Sequence, residues 1–294
     1  MPVTAAFLQY LLSGATVGSI YGLAGLGFAV IFNATQVINF AQGEFVMLGG
    51  MLAVFGLRWG GLSLPGAVAL AILLTTAIGI LVDRLTIRPV RSRSPLTLII
   101  ITIGVSILLR GIVMLCFGKD THALPGFSGS QPIRLFGAAL LPQSLWVGAA
   151  TAATLLGMKT FFDRTIFGKA MLACACDRKA AALVGISVES MVTLSFGLSA
   201  LVGALGGVVL APITLTSYDV GILLGLKGFA ACILGGLGNP FGAVAGGILL
   251  GVLESLAAGF ISSGYKDAVA FLILLALLFV RPSGLFGSRG AERV

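Results

Sequence analysis

A series of apolar runs, each long enough to cross a bilayer as a helix, limits what this chain can become more than any other feature. They lie at about 5–31, 38–57, 65–83, 96–117, 141–161, 190–212, 241–262 and 266–281, and a shorter run at 222–237 carries Lys227. A helix needs about 20 apolar residues to cross the hydrocarbon layer. The chain of 294 residues is 58% hydrophobic and only 10% charged, against about 25% charged in a soluble domain. A water-soluble fold of this size leaves about a quarter of its unfolded surface exposed and could not hide so much apolar area. The sequence therefore predicts an all-α, polytopic transmembrane bundle of eight to nine spans. Glycine makes up 42 residues, about twice the usual share, and stretches such as 203–207 and 242–247 suit close helix packing.

The net charge of +8 belongs to the loops rather than to a nucleic-acid face. Arg84, Arg88, Arg91 and Arg93 share one loop, and Lys159, Arg164, Lys169, Arg178 and Lys179 fall in or beside a second. Arg281, Arg289 and Arg293 occupy the tail. Clustering of Lys and Arg on one side marks the cytoplasmic face. If these three segments are cytoplasmic, the crossings between them must be even in number, so 222–237 is expected to cross and the N-terminus to lie outside (periplasmic), with the C-terminus inside. With no basic region ahead of the first run, a cleaved signal peptide is not expected. The stretch 118–140 is the one sizeable external loop, and the absence of a linker makes 1–294 a single domain. Cys116, Cys174, Cys176, Cys232 and the lone His122 are too scattered for a metal site or a disulfide framework.

Two polar interruptions look built. In Asn33–Glu44, Asn39 is placed to cap the next helix, with Gln42 three residues on as its capping-box partner. In Gly235–Gly242, which includes Gly238, Asn239 can cap a helix that Pro240 starts. Helix starts attract anions, and broken apolar segments point to a transport pathway. Capped turns at a membrane face would read the same. Glu44 is the only charge before Arg58, and Glu254 lies inside an apolar run. A carboxylate at membrane depth normally faces the bundle interior, though Glu44 also sits where a helix dipole would favour it. The segment 162–189 holds a short amphipathic helix that Gly185 can end, with Leu183, Val184 and Ile186 adding apolar surface to a charged loop. That pattern fits a docked helix better than a solvated one.

The order Tyr21-Gly-Leu, Asn39-Phe-Ala-Gln-Gly-Glu44, Gly168-Lys-Ala-Met171, Ala180-Ala181…Gly185-Ile186, Gly228-Phe, Leu234–Gly238 and Arg281–Gly287 resembles the branched-chain amino-acid ABC transporter permease family, LivH type. Lys179–Gly185 also resembles the loop by which such permeases dock on their ATPase, with Lys179 where Glu is usual and Leu172 where Arg often follows the Met. The resemblance covers nearly the whole chain. It implies an importer subunit of the bacterial inner membrane, working with a second permease of LivM type, two ATPase subunits and a periplasmic substrate-binding protein. Gly168, Lys169, Met171, Asp177, Ala180, Ala181, Gly185 and Ile186 would form the coupling loop. Asn39, Gln42, Glu44, Gly238 and Asn239 would line or shape the pathway.

A phosphate-binding G-x-x-x-x-G-K-[ST] loop does not occur in the sequence. The chain is therefore expected not to be an enzyme and to bind no cofactor, ATP and Mg being used by the partner ATPase. An ion-driven secondary transporter would not need the 162–189 loop, and an intramembrane enzyme would need more than His122. A sibling permease carrying urea or short amides stays open. If the Asn39 cap doubles as a pathway feature, Asn39→Leu lowers uptake more than it lowers membrane abundance. An equal fall in both, by transport assay and immunoblot, points to a purely structural cap.

Overall fold

The computed structural model describes residues 3–90, 94–129, 131–135 and 137–287, so Arg91, Arg93, Arg289 and Arg293 of the basic segments lie outside the described residues. In chain order the helices are α1 (Val3–Thr35), α2 (Gln42–Arg58), α3 (Leu64–Val82) and α4 (Pro95–Phe117), with a π-helical turn at Asp83–Ile87. A hairpin of β1 (Ile133–Leu135) and β2 (Ala138–Leu140) follows. Then come α5 (Pro142–Arg164), α6 (Ile166–Cys176), α7 (Arg178–Leu183), α8 (Val188–Thr214), α9 (Val220–Gly235), α10 (Pro240–Phe260) and α11 (Lys266–Val280). Proline opens α4, α5 and α10 and stands in the first turn of α3. At those places its missing N–H takes no bond from the helix.

Among the described residues, seven helices are long and apolar enough to cross a membrane: α1, α3, α4, α5, α8, α10 and α11 with its preceding 3₁₀ turn. These match seven of the eight long runs. The eighth run is α2, of 17 residues, and the 222–237 run is α9, of 16. At 1.5 Å per residue each is about 25 Å long, short of the roughly 30 Å layer, and each is extended by non-helical backbone.

α1 and α8 form the centre, apolar all round and largely buried. α3, α4, α5 and α11 lie outside them with most of their apolar surface uncovered. Such surface is stable only against lipid or another membrane chain. α1 makes its most extensive contact with α10, backbone against backbone. A Cβ on Gly18 would fall 2.6 Å from the Gly247 carbonyl oxygen and 2.7 Å from Ile248 Cα. The glycine enrichment has its physical explanation here, since lipid-embedded helices gain by packing closely rather than by escaping water.

The two ends of the bundle are distinct. At one end Gln9 pairs with the β2 edge like a strand, its Nε2 donating to the Ala139 carbonyl at 3.0 Å and its Oε1 accepting from the Ala139 N–H at 2.7 Å. His122 and Thr216 pair antiparallel at this end, and Phe55, Trp59 and Phe117 cluster beside Arg58 and His122. Aromatic belts of this kind sit at membrane–water boundaries. The hairpin within 118–140 is an addition to the expected all-helical chain. At the other end lie the ends of α1 and α9, the segment α6–α7, and the Arg88–Glu189 ion pair (2.9 Å). Replacing Gly18 by valine pushes α1 off α10, an overpacking of about 3 kcal/mol or more. The expected result is a lower melting temperature in detergent and reduced membrane abundance; wild-type values for both would show that the contact yields.

Candidate functional site

Two helices begin inside the bundle rather than at its ends. The six residues before α2 and the five before α9 are non-helical, and each lead-in opens with a non-glycine residue in the left-handed region, Gln36 (φ 55°) and Leu215 (φ 64°). That conformation is strained for a side chain with a Cβ and persists only where the surroundings enforce it. Gln42, the first residue of α2, sits beside Gly27, eight residues before the end of α1, or about 12 Å along the helix. Its side-chain amide donates to the Ser199 carbonyl at 3.2 Å. The Ser199 hydroxyl lies between Gln42 Oε1 and the Gly27 carbonyl (2.9 Å). The lead-in to α9 descends from Thr216, which pairs with His122, so extended backbone and helix together cross the bundle.

The N-termini of α2 and α9 meet. A Cβ on Gly221 would lie 2.5 Å from Glu44 Oε2, and Gly43 abuts Gly221 and Gly225. Only backbone without side chains fits there. Glu44 is buried, and its Oε1 accepts from the Ser106 hydroxyl at 2.7 Å and pairs with Arg110 Nε at 3.3 Å. Oε2 has no hydrogen-bond partner among the described residues. Phe40, Glu44, Ile103, Ser106, Arg110, Gly221, Ile222, Gly225 and Leu226 line one cavity between α2, α4 and α9. Sequence reasoning singles out Glu44 but misses Ser106.

The expected capping box does not form. Asn39 is buried, but its Oδ1 accepts from the Ala41 N–H at 3.1 Å, two residues on, and α2 has no side-chain cap. Gln42 faces inward to Ser199 instead. Ser199 is a better partner because the Gln42 side chain lies too deep to reach water. Asn39 Nδ2 has no hydrogen-bond partner among the described residues, and Asn39 borders a second cavity with Asp83 and Thr102. The Gly235–Gly242 break is a turn between α9 and α10 at the Arg178 end. There Asn239 does cap α10, accepting from the Gly242 N–H at 3.1 Å, and the Gly238 carbonyl accepts from Asn33 Nδ2 at 2.8 Å. Residues 285–286 strap this turn, with Leu285 N–H to the Leu234 carbonyl (2.9 Å) and Phe286 N–H to the Gly235 carbonyl (3.0 Å). Gly238 and Asn239 therefore lie away from the meeting of α2 and α9. The interruption that opens α9 is 215–219, whose composition looks like an ordinary loop.

Lys227 of α9 is buried in a charged cluster. Its Nζ is 2.7 Å from Glu254 Oε1 on α10, 2.7 Å from Asp267 Oδ1 at the start of α11, and 3.1 Å from Tyr21 Oη on α1. A buried ammonium is tolerated only with such neutralising neighbours. The cluster fastens α9 to three other helices.

Caps at both ends hold the 162–189 segment. The Thr165 hydroxyl accepts from Gly168 N–H (2.9 Å) to start α6, and Asp177 Oδ1 accepts from Lys179 and Ala180 N–H (2.8 and 3.1 Å) to start α7. α7 ends in a Schellman pattern: Gly185 N–H bonds the Ala182 carbonyl and Ile186 N–H the Ala181 carbonyl, with Gly185 at φ +89°. Gly168, Met171, Ala181 and, in part, Ile186 face the body, where the last three join its apolar core. Ile186 was expected to be exposed; as the residue after the Schellman glycine it folds back against the helix it ends. Lys169, Asp177, Ala180 and Gly185 lie on the outer surface. Leu183 and Val184 are 88% and 77% exposed, with Ile166 and Phe167 also outward. Arg178 ties the segment to α1, its Nη2 donating to the Ala34 carbonyl at 3.1 Å.

Residues 10–278 match the family model described as "Branched-chain amino acid transport system / permease component". The chain is 33% identical to the high-affinity branched-chain amino acid transport system permease protein LivH of Escherichia coli K12, over 98% of each chain. It is 34% identical to the corresponding permease BraD of Pseudomonas aeruginosa, over 100% of each. Among solved structures, PsaBC from Streptococcus pneumoniae in complex with Fab matches with a TM-score of 0.50 at 17% identity, over 94% of this chain and 92% of that one, a likeness of fold. A multi-pass helical membrane protein with a near full-length match of this kind belongs to the branched-chain amino-acid transport permease family.

Proposed function

We propose that this chain is one permease subunit of a bacterial ABC importer for branched-chain or closely related amino acids. In this reading all of 1–294 is one permease domain in the inner membrane, with the His122 end periplasmic and the Arg178 end cytoplasmic. The basic residues at the Arg178 end favour that orientation. The chain supplies half of the pathway, and a second permease of LivM type supplies the rest. A periplasmic binding protein delivers the amino acid. The chain binds no cofactor and performs no chemistry; ATP and Mg are used by two ATPase subunits docked on α6–α7.

The outward Leu183–Val184 pair, on a helix too short to be stable alone yet capped at both ends, carries this reading. A six-residue helix gains little from its own hydrogen bonds. The caps and the Arg178 bond to α1 spend that order on presenting an apolar face to something other than the bundle. Movement of a docked partner would reach the end of α1 through Arg178, and the lead-in to α2 begins one residue beyond α1.

Expression with the partner subunits in a strain lacking its own branched-chain importers tests both halves of the proposal. Uptake of labelled leucine, with valine, glycine and urea as competitors, names the substrate class, and dependence on ATP excludes an ion-driven carrier. Leu183→Asp with Val184→Asp places two charges in the docking face while leaving the buried side of α7 intact. The expected outcome is normal abundance with uptake reduced about tenfold or more, since apolar anchors at the centre of an interface are worth about 2 kcal/mol or more. Wild-type uptake by this double variant would remove α6–α7 from the coupling path.

A further inference from the structure

The cavity where the ends of α2 and α9 meet has the charge layout of a receptor for the head group of an α-amino acid. Its volume is about 150 Å³, and it is open beside the exposed Ile103, Ile222 and Leu226, so a small solute can enter. Glu44 is 1% exposed, and its Oε2, turned toward Gly221 on the cavity wall, has no partner among the described residues. A buried carboxylate oxygen left without a donor is costly at membrane depth. The N-termini of α2 and α9 offset part of that cost. What remains calls for a donor that the protein does not supply. Arg110 borders the same cavity with its side chain a quarter exposed, while its Nε pairs with Glu44 Oε1. Phe40, Ile103, Ile222 and Leu226 make the rest of the wall apolar.

We infer that this cavity is a transit site for a zwitterionic aliphatic amino acid: the Glu44 carboxylate accepts from the ammonium, Arg110 pairs with the carboxylate of the solute, and the apolar wall takes the side chain. The inference rests on the chain being an amino-acid permease. Without substrate, Glu44 and Arg110 neutralise each other. With it, one ion pair is exchanged for two, so the charges of an empty site are not left bare and those of a filled one are matched. Such an exchange has a small net free energy, because the two new pairs replace the Glu44–Arg110 pair and the hydration of both charged groups of the solute. A site of that kind releases what it binds, as a pathway must and a storage site must not. Ser106 holds Oε1 at 2.7 Å and leaves Oε2 packed against Gly221. Gly221 is required because a Cβ there would lie 2.5 Å from Oε2 and displace it.

Leucine uptake kinetics in vesicles containing the full importer test the assignment, with membrane abundance and ATPase activity measured alongside. Glu44→Gln keeps size and removes charge; Arg110→Gln does so at the open side of the cavity, where folding is less at stake. Loss of a charge-assisted bond is worth a factor of about ten or more. The expected result is a rise in KM of at least that size in each variant, with abundance and ATPase activity retained. As a second readout, Ile103→Cys places a thiol on the wall; its labelling by a small maleimide is expected to slow in the presence of leucine but not of isocaproate, which lacks the ammonium. Wild-type leucine uptake with unchanged KM in Arg110→Gln, or equal protection by leucine and isocaproate, overturns the transit site and leaves the permease reading standing. Failure of the unaltered importer to move any amino acid overturns both.

Discussion

The starts of α2 and α9 inside the bundle are the constraint to which the surrounding structure answers. In hydrocarbon a free N–H costs several kcal/mol, so a helix can begin at depth only where protein surrounds its first turn. α1 and α8 supply that surround, and their glycines let the inner helices approach closely enough to exclude lipid. Gln42 reaches across to Ser199 and fixes the start of α2 against the centre of α8. Lys227 anchors the middle of α9, through the Tyr21 hydroxyl on α1 and the carboxylates of Glu254 on α10 and Asp267 on α11. Glu44 then stands where two positive helix ends converge, a place that favours a carboxylate.

What could be read directly from the residues follows from what the bilayer enforces. Span length and apolar content are set by membrane thickness, so the long runs translate into helices with little ambiguity. Capping chemistry is equally local: Thr165, Asp177, Ser187 and Asn239 each accept a backbone bond two or three residues ahead, and Gly185 has the positive φ that ends α7. Asn39 and Gln42 show where local reasoning stops. Their spacing suits a capping box, but depth changes the competition, because Gln42 has no water to turn to and Ser199 comes within reach only after α8 has packed.

The same limit hides 215–219. Thr216-Ser-Tyr-Asp219 reads as a surface loop, and only the docking of α8 along α2 shows that its far end lies inside the bundle. Partners across elements are hidden for a related reason. Arg110 with Glu44, or Lys227 with Glu254 and Asp267, depends on how each helix is rotated about its axis, which composition does not encode. Glu254 and Lys227 could be marked as buried charges from sequence, but not as each other's counter-ion.

The strap made by residues 285–286 has a consequence for how the molecule is built. The Leu234 and Gly235 carbonyls that it occupies are synthesised about fifty residues before the strap itself, and chains are made from the N-terminus at a finite rate. Until the strap arrives, the α9–α10 turn is held by its own backbone bonds and by those of Asn33 and Asn239. Biogenesis therefore ends with a closing step: α9, the helix that carries Lys227 and Gly221, is locked at its base only after α10 and α11 have been inserted. A chain stalled before that point would hold its spans in the membrane with the base of the inner helix still unlatched.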